Sequence, residues 1–206
     1  MSHIVLLGDS IFDNAVYVPG EPPVIDQVRE RIANTDSATL LAVDGDITSD
    51  VENQLSRLPD DATHLCISVG GNDALGKTHI LNSDGDSVVS ELTLAHEEFR
   101  SDYRAMLDKA CHHNKPTTAC TIYDSIPGLS RAAIMALSVF NDTILREAFA
   151  RGIPVVDLRL VCSDAEDYSE LSPIEPSSVG GAKIAIAISN VLQNHDFTSN
   201  RTAVYV

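Results

Sequence analysis

His3-Ile-Val-Leu-Leu-Gly-Asp-Ser-Ile-Phe-Asp-Asn14 starts as an apolar run of strand length and breaks at Gly8-Asp9-Ser10. In an open parallel sheet the carboxyl ends of the strands face the crevice where ligands bind, and a glycine there lets the chain bend sharply. A serine at such a turn is a candidate nucleophile. Two further apolar runs end in comparable turns. Leu40-Leu-Ala-Val-Asp-Gly45 closes on a glycine, and Thr63-His-Leu-Cys-Ile-Ser-Val69 runs into Gly70-Gly71-Asn72-Asp73. Three successive strand ends thus deliver a serine, a glycine and an asparagine. Acyl transfer needs a hydroxyl nucleophile and hydrogen-bond donors aimed where negative charge develops.

Each of these residues also has a plainer reading. Serine prefers turns and helix caps, asparagine often bonds its own backbone in tight turns, and a glycine between Asp44 and Asp46 serves a positive φ. Order and company favour the chemical reading for Ser10 and, less decisively, for Asn72. At Gly45 both readings hold together.

Beyond these turns, β-rich runs at Pro116 to Tyr123 and Ile153 to Leu158 bring the strand candidates to five. Helical spacing fills the intervals at Val24 to Ala33, Ser49 to Leu58, Ser87 to His113, Ser130 to Arg151 and Ser177 to Asn194. Parallel strands joined by right-handed helical crossovers fit that alternation. The expected fold is a three-layer α/β/α sandwich with a five-stranded parallel sheet in the flavodoxin-like order 2-1-3-4-5, which gathers the first three strand ends.

Gly8-Asp9-Ser10, then Gly45, then Gly70-Gly71-Asn72-Asp73, in this order and spacing, resemble the first three sequence blocks of the SGNH family. This family, also called GDSL hydrolases, comprises esterases and acyl hydrolases, and the resemblance spans nearly the whole chain. It implies the same strand order. It also implies that Ser10 is the nucleophile and that Ser10, Gly45 and Asn72 form the oxyanion hole.

The fourth block departs from the family. Its Asp-x-x-His aligns with Ser172-Pro173-Ile174-Glu175, so both acid and base are replaced, and all seven histidines lie outside the block. Glu175 becomes the candidate base. Serine-carboxyl peptidases are a family precedent for a glutamate in this role under acidic conditions. Glutamate's reference pKa of about 4.3, against about 6.5 for histidine, makes it the weaker base near neutrality. Taking a proton also only neutralises it, where histidine would gain a positive charge beside the oxyanion. The plainer reading is that Glu175 caps the last helix or pairs with a cation. Asp164, Glu166, Asp167 and Glu170 read as solvated loop residues, none singled out as the missing acid.

The chain of 206 residues suits one domain, placed at 1–194 and followed by a tail at 195–206 without clear period. A formal net charge of -16 argues against nucleic-acid and anionic-membrane partners. No apolar stretch reaches bilayer-spanning length. Asn82 to Ser87 departs from the calcium-loop pattern, with Ser87 at the glycine position and Thr93 at the glutamate position, and reads as a surface loop. No metal or other cofactor is expected. Cys66, Cys111, Cys120 and Cys162 lack Cys-x-x-Cys spacing and read as buried free thiols. A first strand beginning near Met1 leads to the expectation of a cytoplasmic protein. The expected function is serine-dependent hydrolysis of a small or medium acyl or acetyl ester, a small-molecule substrate. The alternative is a binding module that keeps the crevice without the chemistry. Oligomeric state is left open.

Overall fold

The computed structural model describes residues 1–83 and 85–206. In chain order its strands and α-helices are β1 (His3–Gly8), α1 (Val24–Arg31), β2 (Ser37–Leu40), α2 (Val51–Leu55), β3 (His64–Ser68), α3 (Gly71–Leu75), α4 (Asp86–His112), β4 (Thr117–Cys120), α5 (Arg131–Ala150), β5 (Val155–Val156), α6 (Leu158–Val161), α7 (Ser178–Asn194) and β6 (Val204–Tyr205). The strands form one parallel sheet in the order β2-β1-β3-β4-β5-β6.

Strand β1 shows why helices cover both faces. Side chains alternate across a strand, and Ile4, Val5, Leu6 and Leu7 are all at most 1% exposed. Ile4 and Leu6 pack into one core with Val24 and Val28 of α1 and Ile184 and Ile188 of α7. Val5 and Leu7 join a second core with Val51 of α2, Leu107 of α4 and Ile144 of α5. A strand apolar on both faces needs a layer on each side, which is the three-layer solution.

The order 2-1-3-4-5 stands as expected, but the sheet has six strands, not five. The sixth comes from the tail: Val155 N–H donates to Ala203 O and Asp157 N–H to Tyr205 O, at 2.9 Å each. Two residues carry too short a pattern to stand out in a sequence, and the pairing edge of β5 supplies the reason for their strand conformation. Other differences lie at element ends. The second strand is Ser37–Leu40, earlier than the apolar run beginning at Leu40, although Leu41 and Ala42 still donate to Leu6 O and Val43 to Gly8 O. The fifth is only Val155–Val156, because Asp157 turns the chain into α6, accepting from the Arg159 N–H. Gly70 to Asp73, read as a turn, runs directly into the short helix α3.

Helix α4 buries Ala95, Phe99, Tyr103, Met106 and Ala110, the stripe its spacing predicts, whereas Val88 and Leu92 nearer its start are only half-buried. Three of the cysteines are buried, Cys111 is half-buried, and all four are free. No described helix is long and apolar enough to cross a membrane. In the stretch read as a surface loop, Asp84 lies outside the described residues.

Candidate active site

The turn after β1 is shaped by two constraints. Gly8 has φ +127°, and a Cβ there would lie 1.7 Å from Ser68 O of the adjacent strand, so only glycine fits. Asp9 then organises the next residues. Its N–H donates to Ser68 O, its carboxylate accepts the Ile11 N–H at 3.1 Å, and its carbonyl accepts from Phe12 and Asp13. Ser10 is thereby lifted off the carboxyl end of β1, 6% exposed, at the floor of a cleft.

Ser10 Oγ donates to Glu175 Oε1 at 3.1 Å, bringing together residues 165 positions apart. The backbone around Glu175 is held at four points. Its N–H donates to Ser172 O at 3.1 Å and its carbonyl accepts from Ser169 N–H at 2.9 Å. Tyr123 Oη donates to Ile174 O at 2.7 Å, and Asn14 Nδ2 to Pro176 O at 3.0 Å. Helix α7 is capped by Ser177, whose hydroxyl accepts from Val179 and Gly180, so Glu175 is not its cap. Nor does Glu175 form an ion pair with any described residue. Its Oε2 is buried and has no hydrogen-bond partner among the described residues.

The glycine and asparagine turns are tied to β1 through Gln54 of α2. Gln54 Oε1 accepts the Gly8 N–H and Nε2 donates to Gly8 O, both at 2.7 Å, the pairing a neighbouring strand would give. The same Nε2 donates to Asp46 Oδ2 at 2.8 Å, while Asp46 O accepts from Asn72 Nδ2 at 2.9 Å. Gly45 sits in the turn closed by Asp46 N–H donating to Val43 O, with φ +87° as the third residue of a type II turn requires. Neither Ser10 N–H nor Gly45 N–H has a partner among the described residues. Asn72 has spent one of its two amide hydrogens. Ser10, Asn72 and Glu175 line one cleft; Gly45 is not among the lining residues, and its turn is linked to Asn72 through Asp46 O.

The titratable groups next to Ser10 are the carboxyls of Asp9 and Glu175, with no cation bonded to either among the described residues. Burial pushes the Asp9 carboxyl up to about 7, with the Asp73 and Glu175 carboxylates adding to the rise and the Ile11 N–H opposing it. Burial likewise raises Glu175 above the ordinary glutamate value, helped by Asp44; the Ser172 and Ser10 hydroxyls pull it back. Asp73 is raised by burial although Thr48 donates to it through both N–H and hydroxyl at 3.0 Å.

Among the described residues no histidine lines the cleft or bonds Ser10. His3 and His64 begin their strands, at the opposite edge of the sheet, where His3 meets Asp61 and Thr39. Among the loop acids, Asp167 is not solvated as expected: it is fully buried and paired with Lys183 Nζ at 2.7 Å. Asp164 is exposed and pairs with the same lysine. No three His, Cys, Asp or Glu side chains gather as a ligand set among the described residues. Asn14, Gln54 and Tyr123 escaped the sequence reading, since each acts on backbone far away in the chain. The apolar content of their own segments is their only local signal.

A parallel sheet covered on both faces, with a serine turn and a cleft at the carboxyl edge of its first three strands, defines a three-layer α/β protein of the SGNH hydrolase type. The chain belongs to the GDSL-like lipase/acylhydrolase family, whose model matches residues 6–180. Its structure is similar to an extracellular lipase from Streptomyces rimosus, at 20% identity and TM-score 0.68 over 95% of this chain and 100% of that one. A phospholipase A1 from Streptomyces albidoflavus is similar at 18% identity and TM-score 0.67, over 91% and 99% of the two chains. A psychrotrophic esterase from a Pseudoalteromonas species is similar at 12% identity and TM-score 0.67, over 94% and 100%. At these identities the likeness is one of fold. No curated protein matches the chain.

Proposed function

We propose that the protein hydrolyses a small-molecule acyl ester through Ser10, with Glu175 as general base and with Ser10 N–H, Gly45 N–H and Asn72 Nδ2 as oxyanion donors. Family membership supports ester hydrolysis as the class of chemistry. The observation that carries the assignment of roles is the buried 3.1 Å hydrogen bond from Ser10 to Glu175, in a cleft without histidine.

In this reading the Glu175 carboxylate takes the proton of Ser10 as Oγ attacks the ester carbonyl. The new C–O bond places negative charge on the former carbonyl oxygen, opposite the amides that have no internal partner. Collapse expels the alcohol, which receives the proton from Glu175. Water then enters, loses a proton to the same carboxylate and releases the acid and free Ser10. No step asks the base to become a cation. Donors rather than a nearby positive charge therefore carry the stabilisation of the oxyanion, and this puts more weight on Asn72 than a histidine enzyme would.

Reaction with a fluorophosphonate should add one adduct to the intact mass of the parent and none to Ser10→Ala. Equal labelling of the two removes Ser10 from the mechanism. Absence of labelling together with absence of turnover on every ester favours the second reading, a binding module, which the replaced Asp-x-x-His supports. Asn72→Ala should lower kcat by about a hundredfold or more with little change in KM, the scale of one lost oxyanion donor. A raised KM with kcat intact would assign Asn72 to ground-state binding.

A further inference from the structure

The cleft next to Ser10 is much larger than an acetyl group requires. Its cavity volume is about 110 Å³, room for several carbons where an acetyl group brings two, since a single water needs only ~10–15 Å³ on the same measure. Away from the strand ends its wall is almost wholly apolar. Val88 and Leu92 of α4 face Ala133, Ala136 and Leu137 of α5, with Ile126 from the preceding loop. Val88, Leu92, Ala133 and Ala136 are only half-buried, so they give the core little and leave apolar surface for a ligand. The alanines matter for shape, because they leave room between the two helices that larger side chains would fill.

The polar lining has a definite sign. Glu175, the ionised base of the esterase reading, flanks Ser10, and the one described cation of the lining, Lys77, is paired with Glu98 at 2.6 Å. A histidine base would leave this end of the cleft less negative; a glutamate leaves it without a compensating positive charge. An anionic leaving group brought here meets repulsion in a partly desolvated site. The carboxylate product meets the same repulsion, which favours its release.

We propose that the cleft binds the acyl chain of an uncharged medium-chain ester along its apolar wall, and disfavours anionic leaving groups. This rests on the esterase reading and selects the medium chain over acetyl. A series of 4-nitrophenyl esters from acetate to palmitate tests chain length. The value of kcat/KM should rise up to about fourfold per methylene, the worth of ~0.8 kcal/mol each, and level off between octanoyl and dodecanoyl. Ala136→Phe, which fills the space between α4 and α5, should move that plateau to shorter chains. Decanoyl coenzyme A should be cleaved about tenfold or more less efficiently than the neutral decanoyl thioester of N-acetylcysteamine at low salt. A maximum at acetyl, an unchanged plateau in Ala136→Phe, or equal use of the two thioesters would each overturn the corresponding part. Calorimetric titration of Ser10→Ala with 2-alkanones, neutral stand-ins for the acyl group, separates this inference from the chemistry. Tighter binding of 2-undecanone than of 2-pentanone supports the pocket even if no ester is hydrolysed, and equal binding overturns it even if esters are.

Discussion

Glu175→Gln is expected to lower kcat/KM for an activated aryl ester by about a thousandfold, within the range for losing a general base, while melting and alkanone binding stay near the parent's. The amide keeps the shape and an acceptor oxygen for Ser10 but cannot take its proton. In the parent the rate should rise with pH as Glu175 deprotonates. Because burial raises this carboxyl, the rise lies above the ordinary glutamate value of 4.5. Measuring kcat/KM against pH for both proteins checks the assignment. If Glu175→Gln follows the parent across the whole profile, the hydrogen bond to Ser10 is structural and the base lies elsewhere.

The second large effect is on stability. Asp9 is 2% exposed, and its carboxyl is pushed from 3.8 to about 7. In that interval the unfolded chain gives up the proton that the folded chain keeps. The folded state is therefore disfavoured progressively as pH rises through the window, and no further once Asp9 has ionised in both states. At a maximum of ~1.4 kcal/mol per pH unit the loss reaches about 2–4 kcal/mol above neutrality. Asp9→Asn retains an acceptor for the Ile11 N–H and removes the charge. It should be more stable than the parent by that amount at about pH 8, with the advantage vanishing near pH 4. Urea unfolding of both proteins at several pH values reads the difference directly. An advantage that does not change with pH would mean that Asp9 ionises normally in the fold. The raised Glu175 adds a slope of the same sign to both proteins, and because its carboxylate also raises Asp9 the comparison reads Asp9 together with that coupling.

These two carboxyls were unequally legible. The position of Glu175 followed from its alignment with the missing histidine, but whether it capped a helix or faced Ser10 depended on which neighbour took the cap. Ser177 takes it, and Tyr123 and Asn14 fix the flanking carbonyls. Asp9 looked like one more polar turn residue. Its rise to about 7 comes from burial and from Asp73 and Glu175, which arrive from other parts of the chain. Asp167 was misread for the same reason, since Lys183, on a helix that starts eleven residues later, is what allows it to be buried.

The sequence alone determined the layers, the parallel order of the first five strands and the gathering of Ser10, Gly45 and Asn72 at neighbouring turns. Each depends on local pattern: apolar runs of strand length, helical spacing between them and turn residues at their ends. The tertiary structure decided what acts across long separations. It added β6 through an edge that only the folded β5 offers, joined three turns through Gln54, aimed Glu175 at Ser10 and assembled an apolar cleft from α4 and α5. Hydrogen bonds and burial between distant segments leave no period in the chain, because their partners are chosen by packing in three dimensions.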